Sequence, residues 1–173
     1  MRLFVKPEDN TTRDFYLTHK SAYEGDSGID LFVPEKTVCS PGKTTLVDLN
    51  MAAMMTPDRH MNPVSFLVYP RSSISKTPLI LHNSVGVIDS KYRNTIKIAL
   101  FNTSSEEYTV EKGDRLVQIC SSNLEEIKIT IVDRLPSSDR GSGFGSSGRN
   151  NLDSPVDKNV KRGFVDRFKS IFS

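Results

Sequence analysis

The sequence has no apolar run near the ~20 residues a membrane span needs. Its first residues, MRLFVKPED, lack the long apolar stretch of a secretory leader. From these absences we expect a soluble intracellular protein, cytoplasmic or nuclear, with no membrane association. Cysteine is scarce. The two present, Cys39 and Cys120, lie far apart in sequence and make neither a disulfide framework nor a metal cluster. Both read as buried strand thiols. Excess charge is small as well. A net charge of +2 is less than bulk attraction to nucleic acid usually requires, so no nucleic-acid partner is expected and any anion site must be local. Apolar residues make up 36% of the 173 positions, below the usual globular share. Part of the chain is therefore expected outside the core, although the length suffices for one domain.

What the sequence does contain is a series of short apolar or alternating runs, at residues 3–5, 28–33, 45–51, 64–69, 85–88, 95–101, 115–120 and 127–132. They have strand length and are rich in Val, Ile and Phe. Turn chemistry separates them: Pro41-Gly42, Thr56-Pro57-Asp58 and Lys112-Gly113-Asp114. Many short strands without long helical patterns predict an all-β fold, a sandwich or barrel. Residues 51–63 read as a surface loop. One short helix is expected over residues 72–77, with Ser72 as its cap and Pro78 as its stop.

After Leu135 the composition changes. The stretch PSSDRGSGFGSSGRNN reads as a mobile arm, so residues 1–135 form the expected β domain and 136–150 the arm. In residues 151–173, Val160, Phe164, Val165, Phe168, Ile171 and Phe172 follow a period near 3.6 with Lys and Arg mostly elsewhere. That pattern predicts a basic amphipathic helix, which could dock on the protein itself, meet a partner or touch an anionic surface.

Five polar clusters interrupt the strand pattern: DSGIDL at 26–31, YPRSSIS at 69–75, NSVGVIDSKYRNTI at 83–96, EKGDRLVQI at 111–119 and RGSGFGSSG at 140–148. Each alone is weak. Gly-Ile-Asp can be a turn, Pro-Arg-Ser-Ser a helix start, and Asn83 with Gly86 an ordinary turn. Together, in this order over roughly residues 1–150, they resemble the five motifs of the trimeric dUTPase family. The resemblance implies a jelly-roll-like, distorted β-barrel. It also implies hydrolysis of dUTP to dUMP and pyrophosphate, which keeps uracil out of DNA and supplies dUMP for thymidylate synthesis. Mg²⁺ is the implied cofactor. The implied assembly is a homotrimer whose three active sites each draw on all three chains, a closed ring that suits a split site.

The roles follow residue by residue. The third motif is expected as a β-hairpin whose mouth, at Asn83, Gly86, Val87 and Ile88, receives the uracil. An amide both donates and accepts, a glycine admits a flat base closely, and polar groups left unpaired would reject cytosine. Asp89 matches the family's general base, which activates the attacking water. Tyr92 would stack under the sugar and exclude a 2′-hydroxyl; otherwise it is a core aromatic with its hydroxyl satisfied. Lys97 would turn toward the phosphates; otherwise it is a solvated strand lysine. Arg71, Ser72 and Ser73 match the phosphate-binding second motif, where a guanidinium fork grips oxygens in pairs. Asp30 would orient Arg71 or bond the water shell of the metal, and Gln118 would lie beside the attacked phosphate. In the arm, Arg140 would neutralise charge, Phe144 would stack on uracil, and Gly145, Ser146 and Ser147 would wrap phosphate oxygens. No protein ligand cluster for the metal is visible, which fits an ion carried in by the nucleotide.

The fifth motif has one residue rather than the family's two between Gly141 and Gly143, and Asn94 stands where the family has glycine. Two rivals follow from the same residues. A dCTP deaminase would need a catalytic glutamate three residues before Asn102, where this chain has Ala99. A dUTPase-like regulatory protein without catalysis would not need Asp89, Arg71, Gln118 and Phe144 together.

Overall fold

The computed structural model describes residues 1–18 and 25–138. The expected arm from residue 139 onward, with Arg140, Phe144, Gly145, Ser146 and Ser147, and the 151–173 extension lie outside the described residues.

The described chain contains β1 (Arg2–Pro7), α1 (Asn10–Thr18), β2 (Gly28–Leu31), β3 (Thr37–Cys39), β4 (Thr44–Asp48), β5 (Met51–Thr56), β6 (Phe66–Pro70), β7 (Leu79–Leu81), β8 (Gly86–Ile88), β9 (Lys97–Asn102), β10 (Tyr108–Val110), β11 (Val117–Ser121) and β12 (Lys128–Ile131). The all-β character is as expected. Among the described residues the strands pair in four open sheets, β12-β1-β5, β10-β3, β2-β11-β6-β8 and β4-β9-β7, rather than in one closed barrel. Only β1 and β12 pair in parallel; the other ladders are antiparallel. Inward-facing Leu3, Ile29, Leu31, Leu49, Met51, Met55, Phe66, Leu79, Ile98, Leu100 and Ile119 make one continuous core. Each such side chain contributes about 1.5–3 kcal/mol by leaving water. Cys39 and Cys120 are buried free thiols, as the sequence suggested.

Four expectations need correction. The run at 45–51 is two strands. Asn50 takes a left-handed φ of 50°, its amide donating to Asp48 Oδ1 at 2.9 Å, so turn chemistry lies hidden between the buried Leu49 and Met51. The supposed surface loop at 51–63 begins with β5, whose six residues are all buried. The helix at 72 is a 3-10 turn over Ser72–Lys76. Ser72 does not cap it: Arg71 stands at the cap position, extended, with no side-chain cap bond. Finally, α1 was not expected. Asp9 caps it through a 2.7 Å bond from the Thr12 amide, which helps hold the Asp9 carboxyl below its usual range. The helix buries Thr12 and Tyr16, one turn apart. Phe15 stacks on Phe32 with centroids 4.9 Å apart, and Tyr16 meets the same ring edge-on at 5.5 Å.

Candidate active site

The sheet β2-β11-β6-β8 carries most of the motif residues. Asp30 on β2 faces Gln118 on β11, which faces Tyr69 on β6. Arg71 follows directly after β6, its amide bonded to the Leu116 carbonyl at 2.9 Å. These strands bring three motifs to one end of the sheet. There Asp30 receives two arginines: Arg71 Nε reaches Oδ1 at 2.5 Å and Arg115 Nη1 reaches Oδ2 at 3.0 Å. Arg71 Nη1 also donates to Ser73 Oγ at 3.1 Å and to the Arg115 carbonyl at 2.9 Å. Asp30 thus contacts Arg71, the residue it was expected to partner. Arg115 was missed. It lies inside the fourth motif, three residues before Gln118, and that placement was the available signal. Its guanidinium carbon also stands 6.0 Å from the Phe32 ring centre, which links this cluster to α1.

Gln118 lies across Gly28. A Cβ at Gly28 would stand 2.9 Å from Gln118 Cδ and overlap its Oε1. The glycine of the first motif thus makes room for the glutamine of the fourth.

The third motif is not a paired hairpin. β8 takes its ladder from β6, whereas β9 is hydrogen-bonded on both sides, to β4 and β7. With both edges of β9 taken, β8 cannot join it, and the two strands belong to different sheets. At the start of the segment Ser84 adopts a left-handed φ of 62°, a conformation that costs a non-glycine residue about 1–3 kcal/mol. The Ser84 amide bonds the Leu81 carbonyl at 2.9 Å and the Val85 amide bonds the Asn83 carbonyl at 2.6 Å. This strained turn leaves Asn83 exposed. Gly86 pairs with Val68, and a Cβ there would stand 3.2 Å from Val68 Cβ and 3.8 Å from Asn83 Nδ2. Val87 is exposed, and Ile88 and Asp89 are half-buried.

The turn after Asp89 is tightly tied. The Tyr92 amide donates to the Asp89 carbonyl at 2.9 Å, and the Ser90 amide donates to Ser65 Oγ at 3.1 Å. Tyr92 Oη donates to the Thr95 carbonyl at 2.9 Å, so its hydroxyl is satisfied and its half-buried ring is fixed. Thr95 Oγ1 donates to Asp48 Oδ2 at 2.8 Å, and Lys97 Nζ reaches the same oxygen at 2.9 Å. Lys97 is thus engaged by Asp48 on the β4-β9-β7 sheet and is not gathered with Arg71. Burial opposes ionisation of Asp48, but the bonds from Lys97, Thr95 and the Asn50 amide prevail and hold its carboxyl below the usual range. The same bond to Asp48 raises the Lys97 ammonium above its ordinary value. Asp48 lies outside all five motifs, and nothing in the sequence singled it out.

A single chain does not unite the two clusters. β6 and β8 run antiparallel with Phe66 opposite Ile88, so Asp89 emerges beside Ser65 while Arg71 leaves the far end of β6. The six steps from Ser65 to Arg71, at ~3.3 Å each, separate them by about 20 Å. Among the described residues no group of three or more His, Cys, Asp or Glu side chains gathers to hold a metal.

The sequence model of the dUTPase family matches residues 17–148. The chain belongs to the dUTPase family. It is 35% identical over 137 residues to a deoxyuridine 5'-triphosphate nucleotidohydrolase of Clostridium acetobutylicum, which covers 78% of this chain and 91% of that protein. The corresponding protein of Aromatoleum aromaticum is 34% identical over 154 residues, 86% of this chain and 98% of its own length. Among solved structures, the dUTPase of Streptococcus mutans is 32% identical with a TM-score of 0.51, covering 58% of this chain and 80% of its own. A dUTPase of Staphylococcus bacteriophage 80alpha, 21% identical, shares the fold at a TM-score of 0.57 over 78% of this chain and 98% of its own. A dUTPase from phage phi11 of S. aureus, 20% identical with a TM-score of 0.56 over 68% of this chain and 88% of its own, is described with a structural Mg(II) ion in that protein. No helix among the described residues is long and apolar enough to cross a membrane.

Proposed function

We propose that this chain is a dUTP pyrophosphatase, hydrolysing dUTP to dUMP and pyrophosphate. The observation that carries the reading is the Asp30–Arg71–Arg115 cluster, standing with Gln118 at one end of a sheet whose other end leads into the Asp89 turn, in a chain of the dUTPase family.

Asn83, Gly86, Val87, Ile88 and Tyr92 receive the base and sugar. Asp89 accepts a proton from water as the water oxygen bonds to the α-phosphorus and the bond to the pyrophosphate oxygen breaks. Arg71, Ser72, Ser73 and Gln118 hold the triphosphate, with Arg140, Gly145, Ser146 and Ser147 from the arm and Phe144 over the uracil. Such a reaction relies on positioned charge more than on covalent chemistry. Lys97 is withdrawn toward Asp48, so its part is to fix the Tyr92 turn through Asp48 and Thr95 or to exchange partners when phosphate arrives. Bound Mg²⁺ would neutralise phosphate charge. The donor set fits an ion carried by the nucleotide: Asp30 already receives two arginines, and its remaining lone pairs could accept from the ion's water shell.

The separation of Asp89 from Arg71 supports a shared site. In a homotrimer, one chain supplies the Asn83–Tyr92 segment, a second Asp30, Arg71 and Gln118, and a third the arm. Residues 151–173 take no part in this reaction scheme, and their basic amphipathic pattern suits contact with a partner or a surface. The deaminase rival is not favoured, since Ala99 lies in β9 where the glutamate would be.

Pyrophosphate release from dUTP, dCTP, dTTP and UTP, with and without Mg²⁺, tests the reading. We expect strong Mg²⁺-dependent release from dUTP alone. Equal turnover of dTTP or UTP, or none of dUTP, would overturn it.

A further inference from the structure

We propose that Arg93 is a positioning residue for this site: its guanidinium fastens the turn carrying Asp89 and Tyr92 to the chain at Pro136, and so sets where the water-activating carboxylate stands. The inference rests on the dUTP hydrolysis reading above and adds a residue to which that reading gives no role.

Arg93 Nη1 donates to the carbonyls of Ser90 and Tyr92, both at 2.7 Å, while its Nε donates to the Pro136 carbonyl at 3.0 Å. The carbonyl between them, that of Lys91, accepts from Ser138 Oγ at 2.5 Å. Three successive turn carbonyls are therefore held by one arginine and one serine, the serine 47 residues distant in sequence, while the same arginine reaches across 43 residues to Pro136. The guanidinium is half-buried, and burial lowers its affinity for its proton, so these carbonyls stand in for lost water. The geometry needs arginine. Nε and Nη1 point in different directions from a planar fork, whereas a lysine has one nitrogen and cannot serve the turn and Pro136 together. The turn itself begins at Asp89, whose carbonyl takes the Tyr92 amide. Loosening it moves the carboxylate relative to the reacting phosphate, and a shift of ~1 Å can lower a rate about 10²-fold.

The test uses the full chain with Arg93→Ala, Arg93→Lys and Ser138→Ala. For each, kcat and KM are measured with dUTP and Mg²⁺, together with amide hydrogen exchange. We expect Arg93→Ala to lower kcat about tenfold or more with KM changed less than about threefold, Arg93→Lys to recover only part, and Ser138→Ala to show a smaller loss in the same direction. Exchange should quicken in residues 89–95 and 133–138 together in Arg93→Ala. A residue that only supports folding would lower the melting temperature and leave kcat of the folded protein unchanged. Overturning results are kcat within twofold of the parent in folded Arg93→Ala, or faster exchange in one segment alone. If Arg93→Ala does not fold, Arg93→Lys and Ser138→Ala decide by the same criteria. If the parent protein fails to hydrolyse dUTP, the activity reading falls, and coupled exchange alone decides whether Arg93 joins the two segments.

Discussion

Replacing Asp30 by asparagine removes a charge while keeping the shape, and the structure allows the cost to be worked out. The amide can still accept from one arginine, but its NH₂ then faces the donors of the other. The Arg71 contact is short, at 2.5 Å, and both partners are largely buried, with side-chain exposures of 14% for Asp30 and 26% for Arg71. A charge-assisted bond in such a place is worth about 1.5–3 kcal/mol. The Arg115 contact is longer, at 3.0 Å, and Arg115 is 46% exposed, so solvent screening reduces it to about 0–1 kcal/mol. The sum is about 1.5–4 kcal/mol. For a chain of this size each kcal/mol moves the melting temperature by roughly 2–4 °C, so a fall of about 3–16 °C is expected by scanning fluorimetry or calorimetry. The kinetic signature should differ from that of the general base. An unheld Arg71 weakens its grip on phosphate in ground and transition states alike, so KM for dUTP should rise about tenfold with a smaller change in kcat. Arg115→Ala should show less than half of each effect. A melting point within 2 °C of the parent together with an unchanged KM would refute the anchoring role of Asp30.

Three further outcomes follow. Asp89→Asn should lower turnover by about 10²–10⁴-fold while titration calorimetry still detects dUTP binding; undiminished turnover would remove Asp89 from the general-base role. Gly28→Ala should displace Gln118, whose side chain occupies the space a Cβ would need. The flexible amide can move, so stability should drop by less than about 1 kcal/mol, yet kcat/KM for dUTP should fall about tenfold or more, and an unaltered kcat/KM would show that the amide position is immaterial. The third concerns pH. A depressed carboxyl such as Asp48 contributes stability that is full above its unfolded value of about 3.9 and is lost as pH falls through the lower native value. Lys97, raised by the same bond, contributes stability that is full below its unfolded value of about 10.4 and is lost as pH rises through the higher native one. The pair is partly exposed, so the difference between the parent and Asp48→Asn should be about 0.5–1 kcal/mol. In urea melts it should be flat from about pH 5 to 9 and vanish in acid; a difference that grows in acid would contradict the assigned bond.

How far the sequence reaches depends on whether a feature is local. The longer strands were legible because Val, Ile and Phe repeat within a window of five or six residues. β3, β7 and β10 have three residues each, too few for any period to register, and they exist because a neighbouring strand offers a ladder. α1 was illegible for another reason. NTTRDFYLT is rich in threonine and aromatics, which are poor helix formers, and its stability comes from the Asp9 cap and the Phe15–Phe32 stack. The division of 45–51 at Asn50 escaped notice because Leu49 and Met51 continue the apolar pattern through the turn. At the site, motif order pointed to Asp30, Arg71, Asp89 and Gln118. It could not point to Arg93, whose partners are backbone carbonyls that carry no residue identity, or to Asp48, which meets Lys97 and Thr95 only after β4 and β9 have paired.

The register of β6 carries the largest functional consequence. Phe66 opposite Ile88 and Val68 opposite Gly86 fix the two strands as antiparallel, so a residue that follows β8 must emerge near the start of β6. Arg71 follows the end of β6. No side-chain rearrangement bridges about 20 Å of strand, and sliding the ladder by one residue would turn the buried Phe66 and Val68 out of the core. Asp89 and Arg71 of one chain are therefore held apart by the same pairing that stabilises the sheet. Hydrolysis through both residues requires Asp89 of one chain to meet Arg71 of another, which makes activity a property of the assembly. On that logic, a mixture of chains carrying Asp89→Asn with chains carrying Arg71→Ala should regain activity on co-refolding, because some interfaces then pair an intact Asp89 with an intact Arg71. Each variant alone should stay inactive, and failure of the mixture to recover any turnover would mean that the two residues do not meet across chains.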